Sequence, residues 1–78
     1  MQKEKVYVIE RNGLLLDQLF CDDVNEMFNA KGAGKYENIY DVGNIYFYHN
    51  HRIAADVADQ LGASWLKAIR NGLKVELI

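Results

Sequence analysis

Apolar positions along the chain follow two rhythms, one of period two and one of period three to four. Residues 5–10, Lys-Val-Tyr-Val-Ile-Glu, are rich in β-branched and aromatic side chains and predict a strand. Asn12-Gly13 follows, a pair that accepts positive φ at both centres of a tight turn, so residues 14–19 are expected to return as a second strand. Asp23 with Glu26 three positions later reads as a capping box. Val24, Met27 and Phe28 recur at helical spacing behind it and predict a short helix to about Ala30. A glycine-rich loop over residues 31–35 ends that helix.

Residues 36–42 and 45–49 flank Gly43-Asn44 and predict a second hairpin. With a two-residue turn, Val42 opposes Ile45 and Tyr40 opposes Phe47, and these four are assigned to the core. Tyr46, Tyr48, Ile39 and Asp41 then share the opposite face. The longest periodic segment spans residues 52–71. On a wheel of about 100° per residue, Ala58, Leu61, Gly62, Trp65, Leu66, Ala68 and Ile69 fall in one half, and the phase runs through Gly62. This predicts one amphipathic helix, stopped by Gly72, with Lys67 and Arg70 near its negative end. Residues 73–78 alternate and close the sheet. The expected fold is α+β: a small, mostly antiparallel sheet in element order β-β-α-β-β-α-β, packed against a long amphipathic C-terminal helix, with residues 1–78 as a single domain.

Composition narrows the class. Half of the 78 residues are hydrophobic and 26% are charged, which suits a packed domain and not a disordered one. A single cysteine, Cys21, allows no internal disulfide, and no signal peptide or bilayer-length apolar run is evident. A reducing, cytoplasmic setting without membrane contact is the expectation. The net charge of −2 argues against non-specific nucleic-acid binding.

Several motifs invite chemistry. Residues 57–64 resemble the first helix and turn of a helix-turn-helix, which would make Lys67, Arg70, Asn71 and Lys74 nucleic-acid contacts. Continuous helical phase through Gly62 argues against a turn there, so this stands as the alternative reading. His49 and His51 would project to the same side of a strand, as metal ligands do, but no second ligand pair accompanies them. Cys21 precedes two aspartates, which oppose thiolate formation. Gly32-Ala33-Gly34-Lys35 follows a helix and lacks the full phosphate-loop spacing. Asp22 and Asp23 are consecutive and diverge on a helix. No cofactor or metal is implied, and no catalytic set stands out.

What remains is aromatic surface. Five tyrosines are many for this length, and tyrosine is enriched at protein interfaces. The functional expectation is a non-catalytic regulator or inhibitor that binds a larger protein through Tyr46, Tyr48, Ile39, Asp41 and Glu37. The alternating last strand, if it lies at a sheet edge, could also pair with a second copy as a homodimer.

Overall fold

The computed structural model describes residues 3–32 and 38–78. Two tight turns set its frame. Asn12 and Gly13 take φ of 55° and 83°, and they join β1 (Lys3–Arg11) to β2 (Leu14–Leu16) with Arg11 opposite Leu14, as the dipeptide predicts. At the other end, Gly72 at φ 64° turns β6 (Ser64–Asn71) into β7 (Lys74–Leu77), with Asn71 opposite Lys74. Between these hairpins lie β3 (Phe28–Ala30), β4 (Ile39–Asp41), β5 (Phe47–Tyr48) and one helix, α1 (His51–Gln60). The strands form one antiparallel sheet in the order β3-β2-β1-β6-β7-β4, and β5 pairs with β1 beside β2.

The fold is therefore sheet-dominated, and the long C-terminal helix does not exist. Asn50 caps α1 by accepting from the Arg52 N–H at 2.8 Å, and the helix ends after ten residues. Its end is a Schellman turn: the Gly62 N–H points to the Asp59 carbonyl (3.4 Å) and the Ala63 N–H to the Ala58 carbonyl (2.8 Å). Gly62 sits there at φ 63°. Residues 64–71 then run antiparallel to β1 through eight paired positions, from Glu10–Ser64 to Lys3–Asn71. The helical phase across 57–71 misleads because β6 carries apolar residues on both faces, Leu66 and Ala68 on one and Trp65 and Ile69 on the other. Alternate residues of such a strand are apolar on each side, and a short continuous apolar run has no period of its own.

Two further expectations are corrected. The short helix after Asp23 is a 3-10 turn, Val24–Met27, followed at once by strand β3. Asp23 does cap it, accepting from the Asn25 N–H at 2.9 Å. The hairpin around Gly43-Asn44 does not form. Residues Val42–Asn44 make another 3-10 turn, β4 pairs with β7 (Tyr40 opposite Val75), and β5 pairs with β1 (Tyr7 opposite Tyr48).

Strand alternation divides the core between the two faces of the sheet. Val6, Val8, Ala68, Val75 and Tyr40 fill one face, joined by Leu15 and Ile45. Ile9, Leu16 and Phe28 fill the other, under Ala54 and Ala58 of α1. The two helix alanines let α1 approach the strands closely. Complete burial of Val6, Val8, Ile9 and Leu16 contributes about 1.5–3 kcal/mol each. Beyond the reach of α1, the second face carries Lys3, Lys5, Lys67, Ile69, Asn71, Lys74, Glu76, Ile39 and Asp41 toward β4, by register. No helix among the described residues is long and apolar enough to cross a membrane.

Candidate interaction site

The tyrosine patch expected from the sequence is divided. Tyr46 and Tyr48 are half-buried and pack into the core beneath α1, and the Tyr46 N–H donates to the Leu16 carbonyl at 2.9 Å. Ile39 and Asp41 lie on β4, on the far side of β6 and β7 from the strand that Tyr48 pairs with, and Asp41 is ion-paired with Lys74. Glu37 lies outside the described residues, as do Gly34 and Lys35 of the glycine-rich loop.

Burial leaves a mark on Tyr48. Desolvation first, and the neighbouring Tyr46 second, hold its hydroxyl pKa above the ordinary value of 10.0. The folded state thus keeps a proton that the unfolded chain releases, and this contribution to stability is complete below pH 10 and lost as pH rises through the folded-state pKa. Urea denaturation at pH 8 and at about pH 10.5 should show wild type losing more stability between the two than Tyr48→Phe. Equal losses in the two proteins would contradict this.

The four residues expected to face nucleic acid from a helix are strand residues. Lys67 and Asn71 of β6 and Lys74 of β7 share the open sheet face. Arg70 is on the other face, donating to Glu4 at 3.4 Å and lying over the Phe47 ring at 5.4 Å. The two histidines also separate. His49 sits 3.3 Å from the Glu4 carboxylate, whereas His51 opens α1 and packs at 6.0 Å from Tyr7 and 6.1 Å from Trp65. Asn50, the helix cap, turns the chain between them. Among the described residues, no three His, Cys, Asp or Glu side chains converge as metal ligands.

The most distinctive surface feature is one the sequence reading passed over. Phe20 is 96% exposed, more than any other large apolar residue of the described chain. It sits at the tip of the loop over residues 17–23, between β2 and the first 3-10 turn. The start of that loop is tied to the 3-10 turn, and one bond within the loop spans the tip. The Asp17 N–H donates to the Met27 carbonyl at 2.9 Å, and the Cys21 thiol bonds the Gln18 side-chain oxygen at 2.7 Å. Leu19 and Cys21 pack inward against the core under α1. Phe20 is left pointing out from a tethered base.

Its local sequence is acidic, although the Arg11 guanidinium donates to Asn25 Oδ1 at 2.7 Å and Lys31 lines a concavity with Asp17. From residue 12 to residue 30 the chain carries Asp17, Asp22, Asp23 and Glu26 and no lysine or arginine. None of these four carboxylates forms an ion pair among the described residues. Singly exposed apolar residues are ordinary on protein surfaces. Phe20 stands out among them as the most exposed large apolar side chain of the described residues, on a segment whose Asp22, Asp23 and Glu26 are also exposed. The sequence signal was the isolated Leu-Phe pair within an acidic segment, but alternation between buried and exposed positions along a loop follows no period that sequence inspection reads.

A second concavity runs along α1 where it meets β6, an open groove of about 620 Å³ with Trp65, His51, Asp56 and Asp59 among its walls. Trp65 meets Tyr7 edge-on at 5.5 Å. Arg52 lines the same groove one helical turn from Asp56, so its charge is mixed. Comparison with protein-family models, curated proteins and solved structures finds no match to this chain.

Proposed function

We propose that the protein is a non-catalytic interaction module, a small regulator or inhibitor of a larger protein partner, and that Phe20 is its anchor. The supporting observation is the 96% exposure of Phe20 on a tethered acidic loop. Binding an aromatic anchor in an apolar pocket removes its surface from water, at about 25 cal/mol per Å². The Asp17–Met27 bond and the inward packing of Leu19 and Cys21 reduce the ordering entropy that opposes that gain. The four acids around it favour a partner whose pocket has a basic rim, and they speed encounter with such a surface.

The test is photo-crosslinking in the source cells with p-benzoylphenylalanine placed at position 20, and at the also exposed Leu73 as a control. A discrete protein adduct from position 20 and none from position 73 is expected. Once that partner is purified, Phe20→Ala should weaken its binding by at least about tenfold while leaving the melting temperature unchanged. Adducts no more specific at position 20 than at 73 would overturn the assignment.

A further inference from the structure

The molecule itself carries a surface complementary to the Phe20 loop. At the β4 end of the sheet, a depression of about 200 Å³ is lined by Lys3, Ile39, Ile69, Asn71, Lys74 and Glu76. Register explains its composition. Ile69 has Lys5 directly across on β1 and Glu76 directly across on β7, and Ile39 lies beyond Glu76. The floor is aliphatic; the walls carry Lys3, Lys74 and Glu76, and Lys5 and Lys67 lie farther out on the same face. Lys3, Lys5 and Lys67 have no ion-pair partner among the described residues, while Lys74 is matched by Asp41. On this face Lys3, Lys5, Lys67 and Lys74 outnumber Glu76 and Asp41, so an apolar centre with a net positive surround meets what the proposed function asks of a partner.

Phe20 cannot fold back into it within one chain. The loop over residues 17–23 leaves β2 and leads to β3, the opposite end of the strand order from β7 and β4. We infer that the protein associates with a second copy of itself head to tail, Phe20 of one molecule entering the Ile39/Ile69 depression of the next, with the exposed Asp22 and Asp23 carboxylates meeting Lys3, Lys5 and Lys67. The inference rests on the reading of Phe20 as a docking anchor. The contact is heterologous: each molecule keeps one free anchor and one free depression, so association continues past two copies unless a ring closes. Both elements are small, which places self-association in the weak, concentration-dependent class.

Sedimentation velocity from roughly 1 μM to roughly 1 mM, the range in which weak protein contacts form, reads this directly. Wild type should rise in weight-average mass beyond a dimer. Phe20→Ala, which lacks the anchor, should raise the concentration of half-association by at least about tenfold. So should Lys3→Glu/Lys5→Glu, which reverses the rim at two exposed side chains. An equimolar mixture of these two variants has a single productive contact left, the anchor of the lysine variant in the intact depression of the Phe20 variant. It should form mixed dimers and stop there. A wild type that stays monomeric, or a mixture that forms no dimer, overturns the inference. Loss of crosslinking to a different protein in Phe20→Ala, with a monomeric wild type, would remove self-docking and keep the proposed function. Self-association through Phe20 with no other adduct would do the reverse.

Discussion

Ile9→Ala is expected to destabilise the protein by about 3–4 kcal/mol, the middle of the range for emptying a buried aliphatic site. Ile9 is fully buried in the central strand β1, opposite Trp65 of β6 and beneath Ala54 and Ala58 of α1. The space it leaves cannot close easily. The β1–β6 ladder fixes the floor, and the helix rests on alanines that have no length to reach downward. Loss of transfer energy and a persistent cavity therefore add. A domain of this size has about 5–10 kcal/mol in total, so one such change removes a large share. At about 4–8 °C per kcal/mol for a chain of this length, the melting temperature should fall by more than about 12 °C. Ile9→Val, which removes one methylene, should cost only about 1 kcal/mol. A cost below 1 kcal/mol for Ile9→Ala, in urea denaturation with an unchanged slope, would show that Ile9 is not at the centre of the packing between sheet and helix.

Gly62→Ala is expected to destabilise by about 1–2 kcal/mol, and Gly62→Val by more, from the left-handed backbone alone. Gly62 has φ 63°, and nothing lies within 4 Å of where a Cβ would stand. The cost is conformational and not steric contact with a neighbour. This experiment separates two folds by its sign. In one continuous helix over residues 52–71, Gly62 would occupy a helix interior, where alanine is favoured by up to about 1 kcal/mol. At the end of a Schellman turn, alanine must adopt the conformation that its side chain resists. Thermal melts of Gly62→Ala decide: a lower midpoint fits the turn from α1 into β6, and a higher one fits the helix.

The same position shows why part of this fold could be read from the sequence and part could not. Asn12-Gly13 predicts its hairpin because two residues with positive φ are a local requirement, met by the dipeptide itself. Asp23 as a cap and residues 74–77 as a final strand are also local, and both are present. Burial was legible too: Ala58 and Ala68 belong to the apolar stripe and are buried, and Leu61, Trp65 and Leu66 pack partly against the core. The type of element was not legible. Trp65, Leu66, Ala68 and Ile69 fit a helical stripe and equally fit a strand with apolar residues on both faces, and the eight-pair ladder with β1, which reaches from Asn71 back to Lys3, selects the strand.

Long-range pairing also separated Ile39 and Asp41 from Tyr46 and Tyr48. The hairpin expected around Gly43-Asn44 needed only local register, but β7 offered β4 a full partner and β1 had a free edge for β5. The candidate site follows the same division. The acidic run around Phe20 is visible in the sequence, and so are the lysines that end on the open face. That Leu19 and Cys21 turn inward while Phe20 turns out, and that Lys3, Lys5, Lys67 and Ile69 come together from two strands, depends on contacts among residues far apart in the chain. The sequence by itself determined the Asn12-Gly13 turn, the Asp23 cap and part of the buried set; the tertiary structure alone decided helix against strand after Gly62, the fate of the Gly43-Asn44 segment, the order of the sheet and the faces on which charge collects. The physical reason is that turns and caps are fixed by bonds within a few residues, whereas a strand obtains its hydrogen bonds and half of its packing from partners the local sequence does not contain.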